Sequence, residues 1–416
     1  MPATALLSGH EKSILRVELS WYHRVVPIRR VRHLQTVRRL LRDYPAVAIL
    51  GCRQVGKTTL ARQVLAGWRG PKTFFDLEDD VDRRRLQDPG LVLRDVRGLV
   101  VLDEVQHLPE IFRLLRVLAD RPTRPARFLI LGSASPDLLR QSSESLAGRV
   151  VFHELAGFDV EELSRQRGFE LDRLWLRGGF PPSYLARDDA RSHQWRLDFV
   201  RTFLERDLPA LGSALPAAAL GRFWRMLAHW HGQTLNASEI GRSLGVSDAT
   251  VRRYLDLLHG TFVVRVLKPW HENLSKRQVK TPKVYVADTG LLHALLGCPT
   301  LDDLMAYPKV GASWEGFLLA QVIRRLEARP DECYFWRTHQ GAELDLLVVR
   351  GRRRLGFEFK RREAPEMTPS MRIALADLKL DRLTVVHAGK ESWPMAARVR
   401  DVAARRLLDE IRRLES

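Results

Sequence analysis

The sequence is poor in cysteine and has no long apolar run. Its cysteines, Cys52, Cys298 and Cys333, are scattered without metal-ligand spacing, which is typical of reduced thiols rather than of disulfides or a zinc site. Apolar runs such as "PAVAIL" and "RFLIL" end after a few residues, far short of the roughly 18 that cross a bilayer. The first residues also lack the basic and apolar regions of a signal peptide. We therefore expect a cytoplasmic protein without a membrane-spanning segment.

Lysine is scarce relative to arginine. The 416 residues include 68 Lys+Arg against 50 Asp+Glu, which gives a formal net charge of +18 at pH 7. An arginine excess can simply reflect a GC-rich genome, and that interpretation stays open. A field this positive also attracts polyanions, so nucleic acid is the first partner to consider. A membrane surface is the weaker alternative, because no long basic amphipathic helix stands out.

A chain of 416 residues is too long for one ordinary core and predicts about two to four domains. Between residues 46 and 160, short apolar strands such as "AVAILG", "LVVLDE" and "RFLILGS" alternate with helical segments. This alternation predicts a parallel sheet flanked by helices. The predicted organisation is a basic N-terminal segment at 1–36, an α/β domain at 37–160, a helical lid or linker at 161–215, a winged helix-turn-helix at 216–270, a connector at 271–308 and a C-terminal α/β domain at 309–416.

A phosphate-binding loop follows the first of these strands. "GCRQVGKT" fits the pattern G-x-x-x-x-G-K-[ST], and "TTLARQVLAGW" then predicts a helix, which is the context that the motif requires. The glycines let backbone N–H groups turn toward phosphates, and the helix dipole favours negative charge. Lys57 would reach the phosphates of ATP, and Thr58 would bind Mg²⁺. The predicted nucleotide-binding residues are Gly51, Cys52, Arg53, Gln54, Val55, Gly56, Lys57, Thr58 and Thr59.

Residues suited to hydrolysis follow later strands of the same domain. "GLVVLDEVQHLP" ends a buried strand in Asp103, which would hold Mg²⁺ through water, and Glu104, which would orient and deprotonate the attacking water. Ser133 could position that water or the γ-phosphate, although serines often end strands. Arg149 has two interpretations: an arginine finger that reaches the γ-phosphate of a neighbouring subunit, or a surface arginine in an arginine-rich chain.

A helix-turn-helix pattern occupies residues 237–258. Residues 237–244 predict one short helix, and Ser247 caps a second helix with one apolar face. "TFVVRVLKP" then resembles a wing strand. In DNA readers the start of the second helix enters the major groove, but such units also serve as packing modules, and Asp248 would oppose a phosphate backbone. The residues predicted to face DNA are Ser247, Thr250, Arg252 and Arg253.

Three acidic residues and a lysine lie on a helix and two strands predicted near the C-terminus. "GASWEGFLLAQVIRRL" puts Glu315 in the first turn of a helix, and "ELDLLVVRGRRRLGFEFK" predicts two strands joined by a basic turn. Asp345 lies on the first strand, and Glu358 and Lys360 share one face of the second. Carboxylates so arranged suit Mg²⁺ beside a scissile phosphate, with the lysine activating water. A nuclease-like fold that only binds DNA, a surface charge pattern and a protein-interaction module are the alternatives.

These segments resemble bacterial and archaeal AAA-type ATP-binding proteins with a C-terminal domain of unknown function. The resemblance covers nearly the whole chain from about Arg30. It implies a P-loop AAA-type ATPase core, a winged-helix segment and a C-terminal α/β restriction-endonuclease-like domain. It also implies a lid role near the nucleotide for Gly178, Gly179 and Pro181. Cys52 stands where the family more often has a small residue or proline. The matching segments include "GCRQVGKTTLARQVL", "VVLDEVQHLPEIFRLLR", "SLAGRVVFHEL", "LRGGFPPSYLA", "FVRTFLERDLPALG" and "RTHQGAELDLLV".

Together these observations predict a cytoplasmic, Mg²⁺-dependent AAA ATPase that binds ATP and DNA, including branched or damaged DNA, and assembles into a homo-oligomer. Closure around ATP would reorient the winged helix and the C-terminal domain. Two alternatives belong to other classes. One is a slow ATP-gated signalling or transcriptional switch with a protein partner, and the other is an ATP-gated DNA nuclease.

Overall fold

The computed structural model describes residues 28–108, 110–121, 126–134, 149–211, 213, 215–271 and 278–415. Most of the predicted basic N-terminal segment, residues 1–27, therefore lies outside the described residues. Among the described helices, none combines the length and the apolar character that a membrane crossing requires.

The first half of the described chain builds a parallel sheet with the strand order β2-β3-β4-β1-β5. Its central strands are buried because they are continuous apolar runs, which is typical of parallel sheets covered on both faces. This sheet with its helices confirms the predicted α/β core. The elements are α1 (Val31–Asp43), β1 (Ala46–Leu50), α2 (Lys57–Ala66), β2 (Lys72–Asp76), α3 (Asp80–Arg85), α4 (Pro89–Leu93), β3 (Gly98–Asp103), α5 (Ile111–Ala119), β4 (Ala126–Gly132) and β5 (Val150–Glu154).

Short helices follow β5, and the predicted break at "RGGFPPSY" separates two of them. The longest helix of this group widens at its end into a π-turn at Phe203–Asp207. Such π-turns are rare and often occur at functional sites. The helices are α6 (Val160–Leu163), α7 (Leu171–Arg177), α8 (Pro181–Tyr184), α9 (Asp189–Thr202) and, after the π-turn, α10 (Leu208–Ala210).

The helix-turn-helix pattern forms the helices that were predicted. The first helix ends at Gly245, whose φ of 69° is left-handed, and the backbone N–H of Thr250 donates to the Ser247 side chain at the start of the second. A helix precedes this pair, and short antiparallel strands accompany it. The elements are α11 (Ala217–His229), β6 (Gln233–Thr234), α12 (Ala237–Leu244), α13 (Asp248–Gly260), β7 (Val264–Pro269) and β8 (Lys283–Val286).

The C-terminal region extends the sheet of the helix-turn-helix region. Lys268 and Pro269 of β7 pair in parallel with the first C-terminal strand, so one mixed sheet runs β13-β14-β12-β11-β10-β9-β7-β8-β6. The remaining elements are α14 (Thr289–Leu296), α15 (Leu301–Ala306), α16 (Val310–Arg325), β9 (Cys333–Arg337), β10 (Glu343–Arg350), β11 (Arg353–Lys360), α17 (Pro369–Asp377), β12 (Arg382–His387), β13 (Trp393–Ala396), β14 (Val399–Ala403) and α18 (Leu407–Glu415).

One detail of the C-terminal prediction is wrong. Glu315 was expected in the first turn of its helix, but α16 begins at Val310, directly after Lys309 at the N-cap position. With 3.6 residues per turn, Glu315 therefore lies in the second turn. The two predicted strands and their basic turn are present as β10 and β11.

A single apolar core connects the parallel sheet with the helix-turn-helix region. The cluster includes Val47 of β1, Phe199 of α9, Trp224 of α11 and Val251 of α13. Helix α9 and its π-turn therefore share one apolar core with the parallel sheet and the helix-turn-helix region. A second cluster joins α7 to α16 and to β10 and β11.

Candidate nucleotide site and C-terminal acidic cluster

Two glycines shape the loop between β1 and α2. A Cβ added to Gly51 would lie 2.0 Å from the carbonyl oxygen of Leu155, so a side chain does not fit there. Gly56 caps α2 with a φ of 96°, a conformation that residues with a Cβ rarely adopt. The loop therefore turns tightly from strand to helix, and the N-terminus of α2 faces a cavity, where it favours an anion.

Lys57 lies at the centre of this loop and is only 4% exposed. Its Nζ donates to the carbonyl oxygens of Gly51 and Cys52, at 3.1 Å each, and to Ser133 Oγ at 2.9 Å. These neutral oxygens satisfy the donors of the ammonium, and the carboxylates of Asp103 and Glu104 lie close enough to interact with its charge. A buried cation held this way is ready to bind phosphate oxygens.

Asp103 and Thr58 meet beside the lysine. Thr58 Oγ1 donates to Asp103 Oδ2 at 2.7 Å, and the backbone N–H of Glu104 donates to Asp103 Oδ1 at 3.0 Å. Burial, assisted by the neighbouring Glu104, raises the pKa of Asp103 to about 6. The structure thus brings together the residues that were predicted to bind Mg²⁺.

Glu104 adopts a left-handed backbone conformation with a φ of 52°, which turns it away from the line of β3. Its Oε2 accepts hydrogen bonds from Ser133 Oγ, at 3.1 Å, and from the Gln106 side chain. Burial alone would raise its pKa, but Lys57 and these two hydrogen bonds bring the pKa below its ordinary value. Glu104 is therefore ionised at neutral pH, as a general base requires. Gln106 was not predicted, because a glutamine in a short turn carries no sequence signal.

A cavity of about 390 Å³ lies beside Glu104 and Ser133 and reaches the π-turn after α9. Here Arg53 of the loop forms ion pairs with Asp207 of the π-turn and, at 2.6 Å, with Glu78. The loop and the π-turn are therefore in direct contact through charges. The sequence "FLERDLPA" gave no indication of this contact, because Arg53 and Asp207 are far apart in sequence.

A second cavity of about 460 Å³ begins at the N-terminus of α2 and ends among apolar side chains. Gly56, Lys57, Thr58 and Thr59 line its polar end. The apolar part of the cavity is lined by Ile28, Phe158, Pro181, Pro182 and Leu185. Pro181 was predicted to lie near the nucleotide, whereas the other apolar residues were not, since single apolar residues in loops are common.

The turn that carries Pro181 is fixed by Asp288. The backbone N–H of Gly179 donates to Asp288 Oδ2 at 2.7 Å, and a Cβ on Gly178 would lie 2.0 Å from Asp288 Oδ1. Asp288 also caps α14, where it accepts from the backbone N–H of Leu291. The predicted lid glycines thus allow close contact with a carboxylate from outside the parallel-sheet region.

Arg149 and the phosphate loop lie at opposite ends of the strands of the parallel sheet. It precedes Val150, which pairs with Ala46 at the start of β1, whereas the loop follows the end of β1. Its Nε contacts Asp120 Oδ1 at 2.5 Å. A five-residue strand is about 16 Å long, so Arg149 does not reach the loop of its own chain.

The predicted DNA-facing residues fall into two groups. Arg252 and Arg253 are exposed on α13. By contrast, Ser247 and Thr250 bond to each other, Oγ to Oγ1 at 3.0 Å, within the helix cap. Asp248 Oδ2 accepts from Ser238 Oγ at 2.7 Å, so this carboxylate joins α12 to α13.

The C-terminal charged residues also converge, around a lysine that was not predicted. Lys283 Nζ lies 3.1 Å from Glu315 Oε1, 2.6 Å from Glu343 Oε1 and 3.8 Å from Asp345 Oδ1. Lys360 Nζ lies 2.7 Å from Glu358 Oε2 on the same sheet. Lys283 was missed because it comes from β8, far from the other residues in sequence.

The acidic cluster differs from the metal site that was expected. Burial, and then Asp345, raise the pKa of Glu315 to about 7, and the same causes raise that of Glu358 well above its ordinary value. Within the described residues, the one set of ligand groups close enough for a metal is His33, Asp159 and Glu162. Arg30 and Arg32 bind the two carboxylates of that set, so neither location fits a divalent cation as it stands.

The parallel sheet, the glycine-rich loop and the Lys57–Thr58–Asp103 contacts define a P-loop ATPase core of the AAA type. Comparisons with known families agree. Residues 43–164 match an AAA domain, residues 168–302 match a domain of unknown function (DUF8612), and residues 310–405 match another (DUF4143).

The chain is similar to two mycobacterial proteins over most of its length. It is 51% identical over 375 residues, which are 89% of this chain and 83% of the relative, to the uncharacterized proteins Rv2008c of Mycobacterium tuberculosis and Mb2031c of Mycobacterium bovis. The chain belongs to this family of AAA-type P-loop proteins with a C-terminal DUF4143 domain. A Walker-type ATPase of Pyrococcus abyssi matches at 16% identity and a TM-score of 0.46, over 65% of this chain and 96% of that one.

The residues at the phosphate loop fit Mg²⁺. The donors beside Lys57 are oxygen atoms, from the Thr58 hydroxyl and the Asp103 carboxylate, and Mg²⁺ prefers oxygen ligands together with waters and phosphates. The cavity next to them has room for nucleotide phosphates.

Acid should weaken Mg²⁺ binding at this site. Because the pKa of Asp103 is raised to about 6, the carboxylate is protonated below that pH and the ion must displace a proton, so affinity for Mg²⁺-ADP should fall by up to about tenfold per pH unit. Calorimetric titration from about pH 8 to about pH 5 measures this. Asp103→Asn is the control that removes the titrating group. Equal pH dependence in the two proteins would contradict the assignment of Asp103.

Proposed function

We propose that this chain is a Mg²⁺-dependent ATPase that binds DNA and couples ATP hydrolysis to a DNA transaction. The observation that carries the ATPase assignment is the hydrogen-bonded group of Lys57, Thr58, Asp103, Glu104 and Ser133 at the end of a cavity of about 460 Å³. In this proposal the phosphates bind along the loop, and the nucleoside enters the apolar end below Pro181.

In this proposal each polar residue has a separate role in hydrolysis. Lys57 binds the β- and γ-phosphates, and Thr58 with Asp103 holds Mg²⁺, whose charge assists the transfer of the γ-phosphoryl group. Glu104 orients a water and accepts its proton, which its lowered pKa permits at neutral pH. Ser133, bonded to both Lys57 and Glu104, fixes their separation.

The DNA assignment is supported by charge and by the order of the elements around α13. The order α11-β6-α12-α13-β7-β8 is that of a winged helix, and α13 is the helix that enters the major groove in such folds. Arg252 and Arg253 are exposed on it, and Asp248 is bonded to Ser238. The net charge of +18 adds a favourable long-range field.

The π-turn supports coupling between the two functions. Asp207, at one end of the turn, pairs with Arg53 of the phosphate loop. Phe203, at the other end, packs on Trp224 of α11 with ring centroids 5.4 Å apart. We infer that a γ-phosphate, which would compete for Arg53, shifts the π-turn and with it the helices that face DNA.

Assembly and location complete the proposal. Arg149 is too far from its own loop to assist hydrolysis, so an arginine-finger role requires a neighbouring subunit in a homo-oligomer. The cysteines are free and buried, which suits a reducing cytoplasm.

The same π-turn contact would also serve a slow ATP-gated switch with a protein partner, which is the second candidate function.

Substitutions at two charged residues separate nucleotide binding from hydrolysis. Lys57→Ala should abolish ATP binding, because it removes the cation that faces the phosphates. Glu104→Gln should keep ATP bound and slow hydrolysis by at least about 100-fold, the usual loss for a general base. Equilibrium binding and steady-state phosphate release measure the two effects. Glu110→Gln, the same change at an exposed site, is the control, and equal hydrolysis by all variants would exclude this site.

Salt dependence tests the role of α13 in DNA binding. With about six phosphate contacts, duplex affinity should fall by roughly three orders of magnitude between about 50 and about 200 mM salt. The double variant Arg252→Ala/Arg253→Ala should reduce the slope of log K against log salt by about two. Arg191→Ala/Arg201→Ala removes the same charge from exposed positions on α9 and should leave the slope unchanged. An unaltered slope in the α13 variant would refute this interface.

A further inference from the structure

A buried ammonium group lies inside the C-terminal acidic cluster. Lys283 is 2% exposed, and its Nζ lies within 4 Å of an oxygen from each of Glu315, Glu343 and Asp345. Lys283 belongs to β8, whereas the carboxylates come from α16 and β10. The lysine thus brings one positive charge from the helix-turn-helix region into the cluster.

The oxygen atoms of the cluster already have partners within the protein. Glu315 Oε1 also accepts from the Tyr285 hydroxyl at 2.6 Å, and Asp345 Oδ2 accepts from the backbone N–H of Phe359 at 2.9 Å. Glu358 Oε2 pairs with Lys360. The carboxylates are therefore bonded without any bound ion.

A divalent cation would have to compete directly with Lys283. Mg²⁺ and similar ions need oxygens at about 2.0–2.6 Å that surround the ion. The point that the carboxylates of Glu315, Glu343 and Asp345 share is taken by the Lys283 ammonium. An ion placed there would repel the Lys283 ammonium, which is buried beside it.

We propose that the Lys283 ammonium is the resident cation of this cluster, and that the cluster accepts a divalent cation only when that ammonium is removed. On this proposal, the C-terminal region does not cleave DNA by a metal-dependent reaction. Lys283 acts as a positioning residue, which holds α16 and β10 against β8. This inference is independent of the proposed ATPase, since it concerns a different site.

Mn²⁺ binding to the full chain tests the proposal. All proteins carry Asp103→Asn, which removes the metal ligand at the phosphate loop, and free Mn²⁺ is followed by electron paramagnetic resonance without nucleotide. The protein that retains Lys283 should show no Mn²⁺ site that is lost on Asp345→Asn substitution. Lys283→Ala should gain one Mn²⁺ site per chain, with affinity raised at least about tenfold, and adding Asp345→Asn should abolish it. Lys280→Ala, at an exposed lysine three residues upstream, is the matched control and should gain nothing.

Three results would overturn the proposal. The first is a Mn²⁺ site in the protein that retains Lys283, if Asp345→Asn removes that site. The second is metal-dependent DNA cutting by the otherwise unaltered chain that Asp345→Asn abolishes. The third is a folded Lys283→Ala protein, with the near-ultraviolet circular dichroism of the parent, that binds no Mn²⁺. If Lys283→Ala does not fold, Lys283→Met takes its place, because methionine keeps most of the apolar side chain without the ammonium. The first two results need no Lys283 variant.

Discussion

The buried ammonium of Lys57 is the constraint on which the arrangement of the nucleotide site depends. A cation with 4% exposure must be hydrogen-bonded, because an unpaired buried charge is strongly unfavourable. The loop carbonyls and Ser133 supply those bonds, and they hold the loop in the conformation that exposes the N-terminus of α2. Phosphate would add the negative charge that the neutral oxygens lack. Binding of the anion and order of the loop are therefore linked.

A second set of charges connects this loop to the rest of the molecule. Arg53 lies between Glu78 and Asp207, so any anion that draws Arg53 away also releases the π-turn. The turn packs through Phe203 on Trp224, and α11 shares its core with α12 and α13. Packed side chains therefore run without a break from the π-turn beside the phosphate loop to the helix-turn-helix region.

Local patterns predicted the parts of the structure that local physics determines. The five strands of the parallel sheet, the phosphate loop and the cap at Ser247 were predicted because each depends on neighbours in sequence, through apolar runs, paired glycines and capping hydroxyls. The meeting of Lys57, Thr58, Asp103 and Ser133 was also predictable, since the carboxyl ends of adjacent parallel strands share one edge of the sheet.

Contacts between distant segments were not predictable in the same way. Lys283 in the acidic cluster, Asp207 on Arg53 and Asp288 beneath the lid glycines each join residues separated by long stretches of chain. No periodicity or spacing indicates such pairs. The sheet that continues from β7 to β9 is a further example, because an edge strand carries no mark of the strand that it will pair with.

The central claim is the proposed coupling between the phosphate site and the binding of DNA by the helix-turn-helix region. Steady-state ATP hydrolysis by the purified chain with Mg²⁺, alone and with single-stranded, duplex or four-way-junction DNA, tests it most directly, with Glu104→Gln as the blank. The account predicts a rate above the blank that at least one form of DNA increases severalfold. A rate above the blank that no DNA changes would contradict the coupling and favour the ATP-gated switch.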